Sequence, residues 1–71
     1  MRANAAEAVA IYLRQLAALR TVAQRTTRPD YRRALRQQTE LTLAAAEKNI
    51  TVGYEIEQVH QHYRDTLAAL G

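Results

Sequence analysis

The chain has 71 residues, a net charge of +3 and no cysteine. A chain of this length forms at most one domain, and the lack of cysteine excludes disulfides, thiolate nucleophiles and thiolate metal sites. The longest uninterrupted apolar run covers only residues 8–13, whereas a membrane-spanning helix needs about 20 apolar residues. The composition therefore predicts a single small domain (1–71) without a membrane span of its own.

The apolar residues predict a light core. Alanine accounts for 14 of them, Leu, Val and Ile together for 15, and Phe and Trp are absent. Ordering a chain costs roughly 1.5 kcal/mol per residue, whereas burial contributes about 25 cal/mol per Å² of apolar area. With so light a core, these two contributions to the free energy of folding nearly cancel. We therefore expect self-association, or the rest of a longer protein, to add stability.

The first third of the chain predicts a helix over residues 3–24. Asn4 followed by Glu7 fits a capped helix start. Ile11 points away from the apolar stripe, which makes it a candidate for a second contact surface. The stripe recurs at spacings of three and four, as Ala5, Val9, Tyr12, Leu16, Leu19 and Ala23.

A second helix is predicted over residues 29–49. Thr27 followed by Asp30 fits a capped start, and Pro29 in the first turn loses nothing by lacking an N–H. A helix with apolar or small residues on two sides usually lies between two neighbours. One such row is Tyr31, Ala34, Gln38, Leu41 and Ala45, and the other is Leu35, Thr39, Leu43, Ala46 and Ile50. Ile11, Leu43 and Ile50 fall outside the main stripes and are the candidate self-association residues.

The last third predicts a helix over residues 52–70. Its stripe is Val52, Ile56, Val59, Tyr63, Leu67 and Leu70. Asn49, Thr51 and Gly53 favour a break before it, because Asn tolerates a left-handed helix end and Gly weakens a helix interior. The predicted fold is an all-α, short antiparallel three-helix bundle that self-associates. The alternative is a helical hairpin with one continuous second helix over 29–70.

The tyrosines are expected to belong to this core. Tyr12, Tyr31 and Tyr63 lie on the apolar rows, where their rings fill space and their hydroxyls reach the edge of the core. Tyr54 lies near the second break. This spacing does not predict an exposed platform on which nucleic-acid bases could stack.

No set of residues predicts catalysis or metal binding. Glu57 and His60 form half of a di-iron carboxylate site, but the other half would need carboxylates from facing helices. Glu40 and Glu47 are expected on the outside of the bundle. The chain lacks serine, so it has no serine nucleophile. Its two glycines are 18 residues apart, so no glycine-rich phosphate-binding loop is present. We predict no enzyme activity and no cofactor.

Arginines form the main candidate site for recognition. Residues 20–36 hold six arginines against one aspartate, whereas residues 37–71 hold two basic against five acidic residues. Arg25, Arg28, Arg32 and Arg36 are the candidate anion-binding or partner-binding residues, near a predicted helix N-terminus that adds partial positive charge. Their targets would be nucleic-acid phosphates, anionic lipid headgroups or an acidic protein surface. The alternative is a solvated, charged end of the bundle.

Three motifs carry a resemblance to a known family. They are V-A-x-Y-L-x-x-L in the first helix, R-P-x-Y-R-x-A-L from Arg28 to Leu35, and V-x-x-x-Y from Val59 to Tyr63. The pattern resembles the C-terminal helical tail of a family of predicted bacterial membrane proteins of unknown function, in which several membrane spans precede a soluble portion. The resemblance implies a cytoplasmic domain whose arginines lie near an anionic membrane face, and it supplies no catalytic residue.

These observations predict a structural or protein-interaction helical module that forms a homo-oligomer or belongs to a larger protein. The alternative is a small nucleic-acid-binding protein that uses the arginine cluster. That alternative requires the six arginines of residues 20–36 to share one surface. No small-molecule substrate is evident from the sequence.

Overall fold

The computed structural model describes residues 5–51 and 53–71, which form three helices: α1 (Ala5–Arg25), α2 (Pro29–Asn49) and α3 (Gly53–Leu70). Each helix packs against the other two, and the described residues contain no strand. The predicted three-helix bundle is therefore confirmed, and the continuous helix over 29–70 is wrong. The predicted Asn4 cap and the stripe residue Val52 lie outside the described residues. None of the three helices is long and apolar enough to cross a membrane.

Proline, and not a side-chain cap, sets the start of α2. The N-cap residue is Arg28, in an extended conformation (φ −74°, ψ 125°) and without a side-chain capping hydrogen bond, so the predicted Thr27 cap is wrong. Pro29 disfavours a helical conformation at the residue before it, and its own fixed φ suits the first helical position. The helix therefore begins at Pro29 without help from Thr27.

The end of α2 also differs from the left-handed ending that Asn49 suggested. Ile50 is extended (φ −114°, ψ 116°), and its N–H donates to the carbonyl of Ala46 (2.8 Å). No described residue has a positive φ. The Asn49 side chain instead donates to the Tyr12 hydroxyl of α1 (2.8 Å), which links the last turn of α2 to the first half of α1. The extended Ile50 is buried in the core.

The core draws on one side of each helix. Only one of the two predicted rows of α2 is buried, because α1 and α3 both pack on the same side of that helix. The other row leaves Tyr31 53% exposed and Leu41 64% exposed, so the prediction that Tyr31 fills the core is wrong. The buried apolar residues are Val9, Leu16, Ala23, Leu35, Ala46, Ile50, Val59 and Leu70.

Threonines complete this alanine-rich core. Thr39 and Thr66 are fully buried, and their hydroxyls donate to the carbonyls four residues earlier, at Leu35 (2.7 Å) and His62 (2.8 Å). The Thr66 hydroxyl also lies 3.2 Å from the carbonyl oxygen of Leu16 in α1. These bonds satisfy polar groups that would otherwise be costly to bury.

Candidate functional site

Arg32 joins the ends of two helices. Its Nη1 donates to the carbonyls of Ala23 (3.2 Å) and Thr26 (2.7 Å), where α1 ends. Its Nη2 donates to the carbonyls of Ala69 (3.1 Å) and Leu70 (2.5 Å), where α3 ends. The last carbonyls of a helix lack helical partners and carry partial negative charge. A single guanidinium therefore caps α1 and α3 together.

This geometry gives Arg32 a structural role that the sequence did not indicate, and its role in anion binding stays a prediction. Its four Nη hydrogens already have four carbonyl partners within the chain. Binding an external phosphate through the same hydrogens would break the contacts that cap α1 and α3. The sequence does not reveal this role, because these helix ends meet only in the folded bundle.

The remaining arginines do not share one surface. Arg33 and Arg36 line an open groove of about 610 Å³ beside Arg32. Arg20 lines a different groove, between α1 and α3. Arg28 pairs with Asp30 across 3.6 Å, with both side chains exposed, and Arg25 is exposed outside the 610 Å³ groove.

The groove itself combines residues of α2 with the end of α3. Its lining is Thr27, Pro29, Arg32, Arg33, Arg36 and Leu70. Arg33 was not among the candidates from the sequence. The signal for it was present, because residues 29, 33 and 36 are spaced by four and three and so lie on one side of a helix.

His60 bridges α2 and α3. Its Nε2 lies 3.3 Å from a carboxylate oxygen of Glu47, and its Nδ1 lies 3.9 Å from a carboxylate oxygen of Glu57. Arg64 donates to the other Glu57 oxygen (3.3 Å). Within residues 5–51 and 53–71, no group of three or more His, Asp or Glu side chains is arranged to hold a metal ion. The cluster is a network of polar contacts on the surface between two helices.

The three candidate self-association residues have different environments. Ile11 is 44% exposed, as expected for a contact surface. Ile50 is buried and Leu43 is packed against the core, so both are occupied within the bundle. A second copy could reach Ile50 only if the bundle opened. Of the three, only Ile11 is exposed, and its part in self-association stays a prediction.

A different set of residues surrounds Ile11 on the surface. The large apolar side chains that the described residues expose are Ile11, Val22, Tyr31, Leu41 and Tyr54. All but Tyr54 lie on two rows with spacings of three and four, one on α1 and one on α2. We call these rows the α1–α2 face: Ala8, Ile11, Gln15, Ala18 and Val22, with Tyr31, Ala34, Gln38, Leu41 and Ala45.

The two rows of the α1–α2 face adjoin each other. Gln15 and Ala18 of α1 line one shallow groove, of about 280 Å³, together with Gln38 of α2. The middle parts of the two rows therefore lie side by side on the bundle. None of the ten residues is charged, although 24% of the chain is. The two rows therefore form a surface two helices wide whose own residues carry no charge, with Glu40 beside Leu41 at its edge.

Comparisons with known proteins identified no relative of this chain. The chain matches no protein-family model, and neither the curated proteins nor the solved structures contain a match to it. The resemblance to the helical tail of bacterial membrane proteins therefore stays a prediction.

Proposed function

We propose that this chain is a protein-interaction module that associates with a second copy of itself through the α1–α2 face. The observation that supports the proposal is that four large exposed apolar side chains lie on two adjoining rows that contain no charged residue. Single exposed apolar residues are ordinary, whereas a contiguous apolar patch marks an interaction site. Depletion of charge is also typical of the centre of an interface.

The size of the face suits a weak dimer. Helices of 21 residues are about 31 Å long, and packed neighbours lie 8–10 Å apart. A face two helices wide then offers on the order of 600 Å² per copy, near the lower end of stable interfaces. We therefore expect a dissociation constant on the order of micromolar. A dimer would also supply the stability that the alanine-rich core lacks.

Leu41→Glu is expected to abolish the dimer. Leu41 is the most exposed large apolar residue of the face, at 64%, so glutamate fits the monomer but would be buried without a partner in the dimer. Sedimentation equilibrium at 5–200 µM should show the wild-type chain approaching twice its 8.0 kDa mass. The variant should remain monomeric, with unchanged helical content by circular dichroism.

Tyr54→Glu is the matched control. Tyr54 is even more exposed, at 71%, but lies on α3, away from the α1–α2 face. This variant should dimerise like the wild-type chain. A wild-type chain that stays monomeric at 200 µM, or a Tyr54→Glu variant that loses association as fully as Leu41→Glu, would contradict the proposal.

A second candidate function is binding of a polyanion in the arginine groove. Arg33 and Arg36 have no hydrogen bond or ion pair within the described residues, and they lie beside Arg32 in one concave surface. Duplex DNA and the headgroups of anionic vesicles offer the phosphates that guanidinium groups bind. Binding to anionic vesicles would agree with the resemblance to the helical tail of bacterial membrane proteins. Binding to duplex DNA would instead agree with the alternative of a small nucleic-acid-binding protein.

The double variant Arg33→Gln/Arg36→Gln is expected to weaken polyanion binding at low salt. For duplex DNA, each lost phosphate contact should lower the slope of log affinity against log salt by about 0.9. Arg14→Gln/Arg20→Gln removes the same charge outside the groove and should retain more binding. Equal losses in both pairs would show that only net charge matters, and no binding of the wild-type chain to either polyanion would exclude this function.

A further inference from the structure

Glu55 has a carboxylate oxygen without a hydrogen-bond partner. Among the side chains of residues 5–51 and 53–71 that are not exposed, its Oε2 is the one buried oxygen or nitrogen atom without a hydrogen bond. A carboxylate oxygen shielded from water and without a donor raises the free energy of the folded state, so such an atom needs a physical explanation. Neither the α1–α2 face nor the arginine groove includes Glu55.

The neighbouring Tyr54 is equally unexplained by self-association. It is the most exposed large apolar side chain that the described residues contain, at 71%, and it lies outside both the core and the α1–α2 face. Tyr54 and Glu55 together line a groove of about 310 Å³ between α1 and α3. The unpaired carboxylate and the exposed ring therefore belong to one site, which we call the Glu55 groove.

The opposite wall of the Glu55 groove is apolar. It consists of Ala6, Val9, Ala10 and Leu13 of α1, and Gln58 of α3 completes the lining. These four positions of α1 are spaced by three and four and so lie on one side of the helix. Val9 is buried and Leu13 is half-buried. Glu55 is the sole charged residue among those that line the groove.

This combination favours a protonated amino group on an apolar stem. The carboxylate attracts positive charge and accepts hydrogen bonds from an ammonium group. A tyrosine ring also attracts cations, and the Gln58 side chain supplies a further acceptor. Methylene groups suit the apolar wall of α1, as the stem of a lysine does on other apolar surfaces. An anion would be repelled by Glu55, and an inorganic cation would leave the apolar wall uncovered.

The carboxylate is within reach of a ligand in the groove. Oε2 itself is buried, but the Glu55 side chain as a whole is only half-buried. The terminal torsion of a glutamate side chain has a broad energy minimum. A small rotation about it therefore turns the carboxylate toward a ligand without moving α3.

We propose that the Glu55 groove binds a small organic amine, whose ammonium group pairs with Glu55 and whose alkyl stem packs against Val9 and Leu13. The proposal is independent of self-association, because the groove and the α1–α2 face share no residue. A volume of about 310 Å³ lies near the lower end of the range for small-molecule sites. We therefore expect dissociation constants on the order of millimolar for an amine of a few carbon atoms.

Hexylamine, which is protonated at neutral pH, is the probe, and 1-hexanol is the neutral control with the same alkyl stem. Titration of the ¹⁵N-labelled chain with hexylamine should shift the amide signals of Val9, Leu13 and Glu55, with little change at Leu41 on α2. 1-Hexanol should bind about tenfold more weakly, because it forms no charge-assisted hydrogen bond with Glu55. Equal affinity for the two probes, or shifts confined to other parts of the chain, would overturn the proposal.

Glu55→Gln should lower the affinity for hexylamine about tenfold, since the amide retains the shape of the side chain but not its charge. Glu57→Gln makes the same change two residues further along α3, outside the groove, and should bind hexylamine like the wild-type chain. Equal losses in both variants would overturn the proposal by showing that only overall charge matters. Tighter binding of Nα-acetyl-lysine amide than of hexylamine would overturn the assignment to a free amine in favour of a lysine from another protein.

Discussion

Arg32→Met is expected to lower the free energy of unfolding by about 2 kcal/mol. Methionine retains much of the aliphatic stem but removes the guanidinium that caps α1 and α3. Hydrogen bonds that involve a charged group contribute about 1.5–3 kcal/mol. In the variant, water can solvate the carbonyls at the ends of α1 and α3, which offsets part of the lost stability. For a domain of this size the melting temperature should fall by roughly 8–16 °C, which thermal denaturation followed by circular dichroism can measure.

Arg33→Met provides the control for this measurement. It makes the same chemical change at the next residue of α2, but Arg33 is exposed and caps no helix. Surface substitutions of this kind usually change stability by less than about 0.5 kcal/mol. Equal melting temperatures for the two variants would show that the contacts of Arg32 contribute nothing to folding.

Leu16→Ala is expected to destabilise the bundle by about 3 kcal/mol. Leu16 is fully buried at the centre of the core, and truncation of buried leucines costs about 2–5 kcal/mol through lost burial and the cavity left behind. A chain of this length has roughly 4–10 kcal/mol of stability in total. Urea denaturation at fixed protein concentration should show a much lower midpoint with an unchanged slope.

Tyr54→Ala removes a larger side chain and should have a much smaller effect. Tyr54 is 71% exposed and lies outside the α1–α2 face, so loss of its side chain should change neither the core nor the dimer. A shift in midpoint that matches the shift of Leu16→Ala would contradict the assignment of the core. Both variants should be compared at the same protein concentration, since dimerisation stabilises the folded state by mass action.

The fold was largely predictable because its signals are local. The 3.6-residue periodicity and the position of Pro29 predicted α2 over the range that the structure shows, and proline determines that start through its own fixed geometry. The cap at Thr27 was wrong because Arg28, held extended by the proline, occupies the N-cap position. The break after Asn49 was predicted, although an extended Ile50 replaces the expected left-handed residue.

The environment of individual side chains was harder to predict. Both rows of α2 have helical periodicity, and only the packing of α1 and α3 decides that the row of Thr39 is buried while Leu41 is exposed. Leu43 and Ile50 were wrongly expected on a surface, because the sequence does not show which row of α2 faces α1 and α3. Arg32 could not be distinguished from Arg33 or Arg36 by sequence, because its carbonyl partners belong to helix ends brought together by tertiary structure.

The central claim is that the α1–α2 face binds a second copy of the chain, and chemical-shift mapping tests it most directly. Amide spectra of the ¹⁵N-labelled chain should be recorded between 10 µM and 1 mM. The account predicts concentration-dependent shifts at Ile11, Ala18, Ala34 and Leu41, with little change at Gln58 on α3. Spectra that do not change with concentration, or shifts confined to α3 and the arginine groove, would contradict it.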